Sequence, residues 1–380
     1  MAEITEMKPN IGENMQEKAQ KWDFFKIGFS SAASWAWGTS LIMGQQIAQQ
    51  RGLVAWIIWA VCNALTLALF AWLFNHGKIT REAFDRREVK VIALIIQLFC
   101  LLVQMNFINQ QILLLSGDPT LSYVLTTGIG FFFTLIVFKR GLPTSIKTDV
   151  AQWGIAIVSI AVIIGIGLVA RVPLQEFAET STSNVLWGVW SGLILFAGPI
   201  GDIQHWQRAE SDSSRKGYYL GAALFGLYML EVLGMAFFQF NPIMNAILLV
   251  AVLCVATSTI DSIAVALHEL GNKKIGTAAA LFICLFWGLF VNMGMIQLWS
   301  SFGVIRFAFA VGLLMLPLCW AGKKGVVMFV TLVSAALIVL FSALGQITAA
   351  SVAGVVSLIV AAAILVYVVV QAVIGSKNAA

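Results

Sequence analysis

Apolar residues run along this chain in blocks too long for a buried strand and too continuous for the helices of a soluble domain. Crossing the hydrocarbon core of a bilayer takes roughly 20 predominantly apolar residues, and the chain meets that requirement about twelve times. The blocks lie at 27–47, 53–74, 90–115, 119–138, 149–171, 185–206, 217–240, 243–268, 275–292, 296–318, 325–345 and 350–374. The polar stretches between them are short. The longest, "NHGKITREAFDRREVK" and "RVPLQEFAETSTSN", leave no room for a soluble domain. The pattern predicts an all-α membrane protein, with a cytoplasmic segment over 1–26 and a single transmembrane domain over 27–374.

Two blocks make poor continuous helices. The first contains "SSAASWAWGTSLIMG", in which small residues surround Trp35 and Trp37 and Gly38 sits mid-membrane. The sixth reads "LFAGPIGDIQHWQRA", with Gly198, Pro199 and Gly201 close together. Proline removes an N–H and clashes with the preceding turn, and glycine weakens the helix further. Unwound backbone at membrane depth survives only where protein or a cavity satisfies it. Glycine and proline are also common in ordinary membrane helices, but these two breaks lie five blocks apart. Broken helices at matching places in two halves are the mark of inverted repeats with a midplane binding site. The expected arrangement is five-plus-five: repeat one about 27–171, repeat two about 185–318, and two added helices about 325–374.

Composition agrees. Of 380 residues, 60% are hydrophobic and only 11% charged, with mean hydropathy +0.90, where a soluble domain carries about 25% charged residues. The net charge of +5 matters less than its placement. All lysines and arginines except Arg51, Arg171 and Arg306 fall on one face of the twelve-block arrangement, which places both termini in the cytoplasm, in a plasma or inner membrane. The N-terminal 25 residues lack the apolar core of a signal peptide. Cys62, Cys100, Cys254, Cys284 and Cys319 all lie in apolar blocks without a CxxC pair and read as packing residues. "HELGN" at 268–272 lacks the second histidine of HExxH, and no phosphate loop, nucleotide motif or nucleophile–base pairing is legible, so neither an enzyme nor a nucleic-acid binder is expected.

Ionisable residues inside a membrane are functional candidates by default. Asp202 and His205 follow the second break, and Glu231, Asp261 and Arg306 lie in blocks seven, eight and ten. Block three carries "QMNFINQQ", which sets Asn106, Asn109 and Gln110 on one helical face as candidate site-lining amides. Amides also join membrane helices to one another.

Four stretches carry a resemblance. "VFKRGLPTSIKTDVAQWGIAI" (137–157) resembles the "GGLRAVxxTDxxQ" segment of the sodium/solute symporter family, which has the LeuT-type inverted-repeat fold. "GDIQHWQRAESDSSRKGYYLG" (201–221), with Gln207, Arg208 and Gly221 in register, resembles that family's "xQxxxQRxxAAKxxxxAxxG". "AVLCVATSTIDSIAVAL" (251–267) resembles "AAxMSTxDSxLL", and "SAASWAWGTSLIMG" more loosely resembles its broken first core helix. The chain departs from the family in lacking an extra leading helix and a long C-terminal extension, and in having Trp37 and Glu210 where serine and alanine are usual.

The resemblance implies a cation site of the Ala33, Ala36 and Val255 carbonyls with the Ser258 and Thr259 hydroxyls. It implies a possible second cation site at Asp149, Asp261 and Ser262. Asp202 falls where sugar-transporting relatives place a substrate-contacting asparagine, and a carboxylate there favours a solute bearing hydrogen-bond donors or positive charge. Trp35, Trp37 and Trp206 can stack on or gate such a solute, and Trp35, Asn106, Asn109, Gln110, Asp202 and His205 form the expected substrate set. The implied activity is sodium-coupled import of a small polar organic solute by alternating access, with sodium as coupling ion and no other cofactor. A proton-coupled carrier using Asp202, His205 or Glu231, or a membrane sensor that binds solute without moving it, remain the alternatives.

The charge bias generates a direct test of orientation. In a background without native cysteines, Lys216→Cys should resist an impermeant maleimide in intact cells while Glu176→Cys labels freely. Labelling of Lys216→Cys from outside would overturn the orientation.

Overall fold

Helix α6 (Leu142–Val169) shows how the sequence builds this protein. Asp149, Trp153, Ala156, Ile160, Ile163 and Gly167 recur at helical spacing and are buried, while Val150, Ile155, Val158 and Val162 on the opposite face are exposed. Both faces are apolar, and the inner one also carries the polar groups. That distribution suits lipid outside and close helix contact within.

The computed structural model describes residues 24–270 apart from 78, 86, 139–141 and 210–211, and beyond them 278, 281–282, 284–290, 298–299, 302–303 and 306. In chain order the helices are α1 (Phe24–Trp35), α2 (Gly38–Asn75), the short α3 (Arg81–Phe84), α4 (Arg87–Ser116), α5 (Pro119–Phe138) and α6. They continue with α7 (Thr182–Phe196), α8 (Gly198–Gly201), α9 (Ile203–Arg208), α10 (Asp212–Ala236) and α11 (Pro242–Leu270), followed by a 3-10 turn at Trp287–Phe290. Six helices among the described residues are long and apolar enough to span a membrane. The protein is an integral, multi-pass, all-α membrane protein. Blocks eleven and twelve, most of ten, part of nine, and the segment 1–23 lie outside the described residues.

The first eight apolar blocks of the sequence map onto these helices with three adjustments. Block five begins earlier, because "LPTSIKT" already belongs to α6. Blocks one and two meet without a loop: α2 runs through both and bends at Gly52, whose φ of 82° and ψ of 168° interrupt the helix. Block six is divided into α7, α8 and α9.

Packing follows a simple order. Helix α10 lies against α1 and α2, α2 against α7, and α11 against both α4 and α6. On one side of the bundle, the connection after α6 folds over the α2 bend. Ala178 donates its N–H to the Gln49 carbonyl at 3.0 Å, and Gln175 donates to Phe237 O at 2.8 Å. Ser181 caps α7, accepting from Asn184 N at 3.2 Å.

Gly52 has no freedom to vary. Its backbone region is open in practice only to glycine, and a Cβ there would stand 2.5 Å from the Ala178 carbonyl oxygen. Gly52→Ala should therefore lower stability by roughly 1–3 kcal/mol, read as a drop in the melting midpoint of the detergent-purified protein. Gly154→Ala, where an added Cβ meets nothing within 4 Å, should leave the midpoint unchanged.

Candidate functional site

The chain unwinds at two places, and these face each other. Between α1 and α2, Ala36 N still donates to Ala32 O at 2.8 Å, but Trp37 N turns back to Trp35 O at 2.9 Å and the helix stops. Trp37 takes an extended conformation (φ −66°, ψ 156°) before α2 begins. At the second break, Asp202 is extended (φ −113°, ψ 107°) between α8 and α9. Trp35 joins the two. Its indole N–H donates to the Asn63 side chain at 2.8 Å, its ring lies 5.6 Å from that of His205, and a Cβ added at Gly198 would collide with it. Gly198 is thus required for a close approach rather than for backbone freedom.

Helix α11 runs beside the first break. The Cβ position of Gly38 is 3.5 Å from Ala256, and Ser30, two turns earlier, meets Ser258 across the carboxylate of Asp149. Ala33, Ala36, Val255, Ser258 and Thr259 are all buried in this seam. Ser258 donates to Asp149 Oδ1 at 2.7 Å, and Thr259 donates back to Val255 O at 3.0 Å. Both hydroxyl protons are committed, so the oxygen lone pairs remain available to a cation.

A second polar cluster lies one turn along. Asp149 and Arg208 form a fully buried ion pair at 2.7 Å. Ser30 donates to the same carboxylate at 2.9 Å, while Arg208 also donates to Ser30 Oγ at 2.9 Å, Ser262 Oγ at 3.0 Å and the Gln204 carbonyl at 2.8 Å. Asp261 stands beside this pair and accepts from Ser145 and Thr148, each at 2.8 Å, and from Ser262 at 3.3 Å.

Around the second break, Asp202 caps α9. Its oxygens accept from Gln204 N at 3.2 Å, from the Gln204 side-chain amide, and from Gln97 Nε2 at 2.8 Å. His205 meets the Tyr218 hydroxyl at 3.3 Å, and Tyr218 donates to the His205 carbonyl at 2.8 Å. Helix α4 contributes Gln97 here and Gln104 at the first break, where Gln104 Oε1 accepts from Gly38 N at 3.2 Å. The expected amides sit elsewhere on that helix. Asn109 accepts from Ser122 of α5 at 2.6 Å, and Gln110 donates to Asn106 at 3.4 Å. Sequence reasoning passed over Gln97 and Gln204. Gln97 carried a signal, since it lies seven residues, two turns, before Gln104 on the same face. Trp206, expected to stack or gate, is buried against Phe84 of α3 at 4.4 Å and donates to Ile200 O.

With this geometry in view, comparison with solved structures is informative. Among those that match is a Na+-coupled sialic acid symporter in a substrate-bound, outward-open state. It is 15% identical to this chain, covers 90% of it, is itself covered over 89% of its length, and superposes with a TM-score of 0.53. The two proteins share a fold. No family model matches the chain, and no curated protein sequence does.

On that fold the buried ion pair has energetic consequences. Removing one member of a buried pair strands its partner and typically costs 3–5 kcal/mol. Asp149→Asn and Arg208→Gln should each destabilise the detergent-purified protein by about that amount. The double variant should recover a substantial part of the loss, measured by thermal unfolding. Additive losses would show that the two side chains do not act as a pair.

Proposed function

We propose that the protein is a secondary symporter with a five-plus-five inverted-repeat core, which couples inward sodium flow to uptake of a small polar organic solute. The observation that carries this reading is the Ala36–Trp37 break lying beside the hydroxyl-bearing stretch of α11. Sodium is a hard cation that takes oxygen ligands. The Ala33, Ala36 and Val255 carbonyls with Ser258 and Thr259 would supply five, and the C-terminal end of α1 adds favourable negative partial charge. The fold shared with a Na+-coupled symporter supports the same reading. The membrane would be the plasma or inner membrane, with both termini in the cytoplasm.

At the second expected cation position, Asp149 already has a positive partner in Arg208. We assign the second cation's role to that guanidinium, so that one sodium ion accompanies each solute. Solute would bind between the two breaks, near Trp35, Asp202 and His205, with Gln97 and Gln104 as the amides of α4 closest to it.

Proton coupling is the second reading, and Asp261 favours it. That carboxylate is buried and held by hydroxyl groups, and no ion pair joins it to a described residue. Uptake into proteoliposomes under an imposed sodium gradient, proton gradient or neither decides the matter. Accumulation driven by sodium alone supports the proposal. Accumulation driven by protons supports the proton-coupled reading, with Asp261 added to Asp202, His205 and Glu231 as candidate relay groups, and binding without uptake under any gradient makes the protein a sensor.

Ser258 and Thr259 give the finer test. Ser258→Ala and Thr259→Val should each weaken sodium roughly ten- to hundredfold, the equivalent of about 1–3 kcal/mol for a lost buried polar contact. Because coupling is reciprocal, solute affinity should fall at low sodium and recover as sodium is raised. Superimposable sodium titrations for wild type and Thr259→Val would remove sodium from this seam.

A further inference from the structure

Arg306 is buried, yet among the described residues its Nε and Nη2 have no hydrogen-bond partner. Its guanidinium lies between three rings, 4.8 Å from the centroid of Trp37, 5.2 Å from Phe302 and 5.3 Å from Trp35. These rings offset part of the charge through their faces but accept no hydrogen bond in the plane of the guanidinium. The group is also at the heart of the molecule. A Cβ added at Gly198 would stand 2.7 Å from Arg306 Nη2, so the arginine reaches the backbone of the second break, while its ring partners Trp35 and Trp37 flank the first.

The nearest candidate counter-charge is occupied. Asp202 is engaged by Gln97 and by the backbone and side chain of Gln204, and no ion pair within 4 Å joins it to Arg306. A buried charged donor without an acceptor is costly, and a cargo that brings an acceptor would relieve that cost. Further unpartnered atoms surround the breaks: Trp37 Nε1 and Gln104 Nε2 are donors, while Gln97 Oε1 and Gln204 Oε1 are acceptors. The donors sit with Arg306 and Trp37, the acceptors with Asp202.

We propose that Arg306 binds a carboxylate of the transported solute, and that this solute is a small carboxylic acid also bearing N–H or O–H donors. A planar guanidinium with two free N–H groups matches a carboxylate in shape, charge and bond direction. Gln97 and Gln204 receive the solute's donors, and Trp37 and Gln104 hold its remaining acceptors. The assignment rests on the symporter reading but concerns only the cargo. It selects amino, hydroxy and sugar acids over neutral sugars, amides and amines.

The test uses full-length protein in nanodiscs, with saturating sodium and, in parallel, without sodium. Probes are sialic acid, proline, lactate and acetate, each paired with its neutral amide, together with galactose and choline. Binding is read by thermal stabilisation and by titration calorimetry. At least one acid should bind while its amide does not, and Arg306→Gln should weaken that acid roughly 30-fold or more, as for loss of one partner of a buried charge pair. Arg306→Lys, which keeps the charge but not the fork, should retain part of the affinity. Stabilisation of each variant by sodium alone shows that it is folded.

If no acid in the panel binds, or the preferred solute is neutral or cationic, the proposal is overturned. Equal binding of the acid by Arg306→Gln overturns it too. In those cases sodium-dependent stabilisation or uptake still upholds the symporter reading. Failure of the symporter reading has a separate signature: an acid that binds through Arg306 with no dependence on sodium.

Discussion

The pairing of Asp149 with Arg208 organises the centre of this protein. Two opposite charges withdrawn from water attract strongly, but the arrangement is tolerable only if their remaining hydrogen-bonding capacity is also met. Ser30 of α1, Ser258 and Ser262 of α11 and the Gln204 carbonyl of α9 meet it. The requirement therefore fixes four elements around one point: α1 before its break, α6 through Asp149, α9 after the second break, and α11. The hydroxyl-bearing seam at Ser258 and the capped start of α9 at Asp202 are both tied to this anchor. Moving any one of the four elements means breaking charge-assisted bonds at low dielectric.

Much of this was legible in the chain. Block lengths gave the helices, and the Gly-Pro-Ile-Gly stretch and the Trp35–Gly38 region gave both breaks, because a missing N–H and weak helix formers act locally and need no tertiary context. The Thr148–Asp149 and Ser258–Thr259 motifs led to the polar seam through the family resemblance, while Asp261 also stood out as a carboxylate in an apolar block. The seamless junction at Gly52 was not legible. The space a side chain would need at 52 is taken by the Ala178 carbonyl, which belongs to a segment more than a hundred residues away in sequence.

The amide-bearing faces of α4 illustrate the other limit. Amides at 106, 109 and 110 form a denser sequence cluster than Gln97 and Gln104, yet Asn109 serves the α5 contact while Gln97 and Gln104 reach the breaks. Periodicity identifies residues that share a face, but not the neighbour that face meets. Likewise Arg306 was visible as a charge in a membrane block, while its ring cage and unpaired nitrogens belong to the tertiary structure alone.

Gly198 carries one more consequence. Because the Trp35 ring occupies the volume that a side chain at 198 would fill, the two unwound segments mesh like gear teeth, a ring of one seated in a notch of the other. The indole N–H is at the same time pinned to Asn63 on α2, so the tooth cannot swing aside without letting go of its axle. Displacement of either segment is then passed to the other by direct steric contact. Filling the notch with a methyl group would press on the Trp35 ring and on the Arg306 guanidinium at once.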